Sequence, residues 1–423
     1  MFGPHDEVIL PPSQLQWLSR QPDNVASSHA AQNDAIQLEH SLGYKFAWDA
    51  WGGLLIKSDL NSALETVCAV MNDEVGPAVD AAFGVDVDEW KELDLFPACR
   101  IITGRATQRF TLGDSAEGRR LCKDDGFIQS CYSVLDGMLE VAGYVAASPM
   151  DVLKPLVARY ASRVMKAKLK DLKDRFEPVY RERMQIIRDN AQGKETKEPR
   201  DLIQMMLQYA SKERPNEANN IDDITKRLAL SNFGTMHQSV ITLHNFLLNI
   251  IDSDAEFNTT AVLRAEIASV IGPDAGSSTK HWTRAQVASM TRADSAARET
   301  LRLHSFIGRT VQRLSVVKEG ITTPDGVHLP YGTMVSILAH QAQTDADIVG
   351  AEPEKYDPFR FSRTREAAAA STADGRTGRH RRLCDVLHAG AGPWPQSSQG
   401  EDEERRETGD LDPVPGQAGR GHL

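Results

Sequence analysis

A chain of 423 residues, 41% hydrophobic and 25% charged, has room for one large or two ordinary domains and the balance of a globular protein, which excludes a fibrous or wholly disordered chain. Its 48 basic against 59 acidic side chains leave a net charge of −11, the wrong sign for nucleic acid as a partner. The five cysteines, Cys68, Cys99, Cys122, Cys131 and Cys384, are odd in number and lack CxxC spacing, which disfavours a zinc site and a disulfide framework and fits a reducing compartment.

The N-terminus has no basic segment followed by an apolar run, and no apolar stretch reaches transmembrane length, so the chain as written reads as cytoplasmic. From about Ser13 to Lys318 apolar residues recur every three or four positions, as in LNSALETVCAVMNDEVGPAVDAAF and DVLKPLVARYASRVMKAKLKDL, so helices dominate. Trp48, Trp51 and Trp90 read as packing anchors along this stretch. The polar segment NAQGKETKEPRD, residues 190–201, reads as an exposed connection. The longest periodic element opens at IDDITKRLALSNFG, with Asp222 or Asp223 expected to cap it and Leu228, Phe233, Met236, Val240, Leu243, Leu247 and Ile251 lining one apolar side. Other faces are apolar too, so this helix should cross the core.

A short helix in MTRADSAARETLRLHS precedes a switch to period two: VQRLSVV, the Pro-Asp-Gly turn in TTPDGVHLP, then MVSILAH. The expectation is a mostly α chain with a small β region confined to this part. After Arg363 the composition breaks. Beyond Leu387 the only aliphatic residues larger than alanine are Leu411, Val414 and Leu423, so residues 1–363 read as the domain and 364–423 as an atypical, disordered tail.

Glu299 and Arg302 in ARETLRLHS share a helix face and can pair. An isolated ExxR is most often an exposed pair of small energetic weight; here EPEKYDPFRFSR follows, with Arg360 between Phe359 and Phe361 in a proline-bounded loop. That setting suits a half-buried guanidinium whose fixed fork could reach Glu299. With these two segments in this order, and the hairpin between them, the sequence resembles the cytochrome P450 family, in particular its fungal members of secondary metabolism. The likeness runs from about residue 5 to 363.

The resemblance implies a P450-like fold altered at both ends, with Glu299, Arg302 and Arg360 as the network that fixes the core around haem b. It implies that the long helix crosses the haem on its oxygen side. Gly234 would leave room for dioxygen, while His237, Gln238 and Ser239 of GTMHQS occupy the acid-threonine region; Gln238 stands where the family has threonine, and an amide is a poorer proton relay than a hydroxyl. Implied partners are an NADPH-cytochrome reductase and a small lipophilic metabolite to be hydroxylated, in a family that sits at the endoplasmic reticulum membrane. The alternative reading is a helical binding protein or inactive remnant without haem.

The family's axial thiolate lies in FxxGxxxCxG, and its electron donation favours O–O cleavage. Cys384 is the only cysteine after the ExxR helix and hence the candidate axial ligand. The pattern around it asks for Phe at 377 and Gly at 380 and 386, where the chain has Thr377, His380 and Val386. HAGAGPWPQSSQGEDEERRETG then cannot form the long apolar helix that should follow. A shifted frame or retained intron in a gene that otherwise encodes the enzyme fits so abrupt a change, and weak or absent haem ligation is expected of the chain as written.

Overall fold

A computed structural model of the chain describes residues 7–49, 51–52, 55, 60–86, 88–148, 151–194, 196, 198–272, 282–305 and 308–373. Ten helices carry the architecture, with shorter ones between them: α1 Ser28–Ile36, α2 Leu60–Phe83, α3 Leu95–Leu112, α4 Asp125–Ala146, α5 Lys154–Ala191, α6 Leu202–Glu213, α7 Ile221–Asp252, α8 Thr259–Ile271, α9 Thr291–Leu303 and α10 Arg360–Ala373. The mostly helical class expected from the periodicity is what forms.

Short polar side chains set the helix starts. The Ser27 hydroxyl accepts the Ala30 N–H at 2.9 Å, and Asp94, Asp124 and Asp201 accept backbone N–H groups at the heads of α3, α4 and α6. The cap of α7 is Asn220, not Asp222 or Asp223. Its side-chain Oδ1 accepts the Asp222 N–H at 3.0 Å, which leaves both aspartates in the first turn, where negative charge suits the helix dipole.

The main core is formed by α3, α4, α5, α6 and the first half of α7. A Cβ at Gly104 in α3 would lie 2.5 Å from Ile128 Cγ2 and 3.3 Å from Tyr132 Cε2, so only glycine lets α3 and α4 meet so closely. One turn further along α3, buried Gln108 donates to Asn232 Oδ1 at 2.8 Å. Along α7, Leu228, Met236 and Val240 are buried, Phe233, Leu243 and Leu247 are partly so, and Ile251 is exposed. The helix thus crosses the core with its first half only.

Strands β1 Glu7–Leu10, β2 Ala26–Ser27, β3 Arg309–Ser315 and β6 Met334–Leu338 form one sheet in the order β1-β6-β3-β2. A second ladder pairs β4 Ile321–Thr322 with β5 His328–Leu329. β3 and β6 are antiparallel, Leu314 facing Met334, with a register shift between Thr310 and Arg313 where Val311 has φ 51°. A β-branched residue is rarely held in that region, so the bulge is imposed by the ladder on both sides of it. The expectation that β structure is confined to the hairpin is corrected here. β1 pairs in parallel with β6, Glu7 facing Met334, and β2 pairs with β3, so the sheet is closed by segments some three hundred residues away that local periodicity cannot reveal. Leu10, Leu18, Ala26, Leu329, Val335 and Ile337 form its separate core.

Of the three tryptophans, Trp51 is the anchor expected: it is buried, 4.9 Å from the Tyr209 ring, with the Arg227 guanidinium 5.0 Å over it. Trp48 is half exposed against His29, and Trp90 is fully exposed among the acids of residues 84–94, so it anchors nothing among the described residues.

Candidate active site

The amphipathic helix α9 turns Ser295, Ala296, Glu299, Thr300 and Arg302 inward. Glu299 Oε1 accepts from Arg302 Nη2 at 2.7 Å, Arg360 Nε at 3.1 Å and the Asp357 N–H at 3.1 Å, while Oε2 accepts from Arg302 Nε at 2.8 Å. One buried carboxylate therefore holds two guanidinium groups. The remaining donors are taken up by main-chain carbonyls: Arg302 donates to Gln343 O at 2.8 Å, to Pro353 O and to Lys355 O at 3.3 Å. Arg360 donates to Ala351 O and Glu352 O at 3.0 Å and to Lys355 O at 3.1 Å. A bare ion pair in this position would be costly to desolvate; saturating both guanidinium groups removes most of that cost and fixes the loop at 343–357.

Further residues belong to this construction and were not singled out from the sequence. Ser295 Oγ accepts the Phe361 and Ser362 N–H groups at 3.1 and 3.0 Å, so a side chain of α9 satisfies donors that the first turn of α10 leaves without an intrahelical partner. The signal for it was a serine one turn before Glu299. Burial pushes Tyr356 up to about 12, keeping its hydroxyl a donor, here to Ala296 O at 3.0 Å. Asn249 Nδ2 donates to Thr300 Oγ1 at 3.2 Å, and its Oδ1 lies 3.2 Å from His304 Nε2, which ties α7 to α9. Across α9 and α10, Arg365 pairs with Asp294 at 2.6 Å and Arg292 with Glu366 at 3.5 Å. The boundary expected after Arg363 falls inside α10.

On α7 the four sequence candidates diverge. Gly234 and Gln238 are one turn apart on a half-buried face. His237 is buried to one side, its ring stacked on Phe233 with centroids 6.4 Å apart, and burial draws its pKa below the usual imidazole value, with Asp136 pulling it up and Arg100 pushing it down. Those two form a pair behind it: Arg100 Nη2 donates to both Asp136 oxygens, at 2.9 and 3.1 Å, and the guanidinium carbon lies 4.7 Å from the Tyr132 ring centroid. Ser239 is exposed on the other side, and its hydroxyl donates to Thr235 O at 2.6 Å. Cys384 lies outside the described residues.

The geometry joins an ExxR helix to a downstream arginine and places beside them a long helix with a glycine-bearing half-buried face. A sequence model of the cytochrome P450 family matches residues 123–375. The chain belongs to the cytochrome P450 family. Among its relatives are the cytochrome P450 monooxygenase pbrC of Penicillium brasilianum, 40% identical over 87% of this chain and 67% of the relative, and astC of Aspergillus terreus, 38% identical over 88% and 68%. The cytochrome P450 monooxygenase tenB of Beauveria bassiana is 38% identical over 86% of this chain and 66% of its own.

Haem is the cofactor that membership of the P450 family implies. The described residues supply a rigid, hydrogen-bond-saturated scaffold at Glu299, Arg302 and Arg360 that is compatible with such a group. They do not fit its axial donor. Cys99, Cys122 and Cys131 are all buried, Cys99 and Cys131 within the main helical core, and burial raises each thiol, Cys122 to about 11. No cluster of three or more His, Cys, Asp or Glu that could hold a metal ion occurs among the described residues.

Proposed function

We propose that this P450 is a haem-thiolate monooxygenase that hydroxylates a small lipophilic secondary metabolite, with electrons from NADPH delivered through a reductase. The relatives, monooxygenases by name, favour this over a haem-free binding module. The observation that carries it is the buried Glu299–Arg302–Arg360 network, a saturated and rigid arrangement that becomes intelligible as the fixed floor of a cofactor site. When bound, haem supplies the oxygen activation.

The chain's own residues divide the remaining work. Gly234 lets a ligand approach the α7 backbone. Gln238, one turn on, presents an amide to the same face, able to orient a bound molecule by donating and accepting but not to shuttle a proton as a hydroxyl does. His237, neutral in its buried setting, can accept a proton from that side, with the Arg100–Asp136 pair behind it. Ser239 is committed to the Thr235 carbonyl and acts only if that bond opens. Cys384 is the proposed axial ligand, in the compositionally atypical segment 364–423, whose first residues belong to α10.

The test is titration of the full chain with haem, followed by the reduced carbon-monoxide spectrum. A thiolate-type Soret band that is lost in Cys384→Ala supports the proposal; absence of haem uptake removes catalysis by this chain.

A further inference from the structure

Between Gly234 and Asn249 one side of α7 is polar. At 3.6 residues per turn, Gly234, Gln238, Thr242, Asn245 and Asn249 fall within an arc of about 80°. All five are half-buried and none is charged, while Phe233, Met236, Val240, Leu243 and Leu247 occupy the other sides. Asn249, at the far end of the row, has its partners: its Nδ2 donates to Thr300 Oγ1 at 3.2 Å, and its Oδ1 lies 3.2 Å from His304 Nε2. Gln238, Thr242 and Asn245 make no hydrogen bond among the described residues. For Thr242 that is unusual on this helix, because Thr225, Thr235 and Ser239 each donate to the carbonyl four residues back, at 2.8, 3.0 and 2.6 Å. Half-buried polar groups left open are costly unless a partner from outside the protein completes them.

We propose that Gln238 sets the substrate class: a lipophilic molecule with an uncharged polar edge, on which a carbonyl stands next to an N–H or O–H. The inference rests on the monooxygenase function proposed for this chain and narrows its substrate. A glutamine amide offers an acceptor and a parallel donor, so it closes a two-bond pair with a group that carries the same functions in reverse, as a cyclic amide or a hydroxy-ketone does. Thr242 and Asn245 extend this polar edge about 10 Å along the helix, where further oxygens of the substrate or bridging waters complete the bonding. Two features set other ligands aside. No cation stands on the row, so a carboxylate or phosphate meets no counter-charge there. A plain hydrocarbon leaves Gln238, Thr242 and Asn245 unpaired.

The experiment is calorimetric titration of the full chain, in the presence of haem, with γ-decalactam and with γ-decalactone, which share shape and carbonyl and differ in the ring N–H. Expected is about ten-fold tighter binding of the lactam, the weight of one hydrogen bond. In Gln238→Met, and in Gln238→Leu as a second apolar variant, that preference disappears. The circular dichroism and urea midpoint of both variants hold, because no hydrogen bond within the protein is lost. Equal binding of the two probes by the unaltered chain overturns the proposal, as does binding of neither probe or a lactam preference that survives both variants. Haem uptake is read separately. A chain that forms the thiolate-type Soret band yet does not tell lactam from lactone keeps the monooxygenase function and loses this inference; discrimination without haem uptake does the reverse.

Discussion

Two buried arginine–carboxylate pairs in this P450 have the same ingredients and opposite outcomes. At Glu299 one carboxylate meets Arg302 and Arg360, and the guanidinium donors that remain are spent on the carbonyls of Gln343, Ala351, Glu352, Pro353 and Lys355. At Arg183, fully buried on α5, Nη2 alone bonds, to Asp201 Oδ2 at 3.0 Å, Leu112 O at 2.8 Å and Ser115 Oγ at 3.1 Å, while Nε and Nη1 have no protein acceptor. Burial pushes Asp201 up to about 6 despite its arginine, with Glu182 adding to the rise. The difference teaches that geometry around a buried pair, not the pair itself, decides whether it holds a structure together.

The sharpest way to break the comparison is to neutralise each acid without changing its shape. Glu299→Gln leaves buried Arg302 and partly buried Arg360 with no counter-charge and should cost about 3 to 5 kcal/mol, read as a lower urea midpoint by circular dichroism. A loss below about 1 kcal/mol would mean that the carbonyls alone hold both arginines, and the contrast with Asp201 would collapse.

Asp201 sets the next effect, and its sign is opposite. Its folded pKa is about 6 against an ordinary value of 3.8, so its contribution to stability is fully present below pH 3.8 and is lost as the pH rises through 6. The loss is about 3 kcal/mol at most. Asp201→Asn keeps an acceptor for the Gln204 N–H and should flatten this slope, being neutral or stabilising at pH 7. Melting temperatures of both proteins from pH 4 to 7 decide it: parallel curves would show that Arg183 holds Asp201 ionised throughout.

The two sites also differ in how far they were legible. Glu299 and Arg302 stand three apart on a periodic helix, and Arg360 is marked by flanking phenylalanines and prolines, so local chemistry pointed to a pair that the fold then closes. Arg183 precedes the polar stretch 190–201 and Asp201 is its last residue, where nothing in period or composition marks a buried acid. Long-range pairing hid the rest: β1 and β2 join the sheet from residues 7–27, and Ser295 caps a helix sixty-five residues downstream. On α7 the motif was readable but its angular spread was not, because which of Gly234, His237, Gln238 and Ser239 share a face depends on how α3 and α4 seat against it.

Ser295 gives the smallest effect and isolates one part of the Glu299 site. Its hydroxyl is the acceptor for two N–H groups at the head of α10, and removing it exposes neither the carboxylate nor the arginines to water. Ser295→Ala should therefore cost about 1 to 2 kcal/mol, the range for a lost helix cap and well under that of Glu299→Gln. Hydrogen exchange at Phe361 and Ser362 separates a local from a shared role. Faster exchange confined to those amides means the cap secures only the start of α10. If protection falls together at Arg302 and Asp357, the cap and the ion network are one cooperative unit, and the saturation of the guanidinium groups depends on α10 being docked.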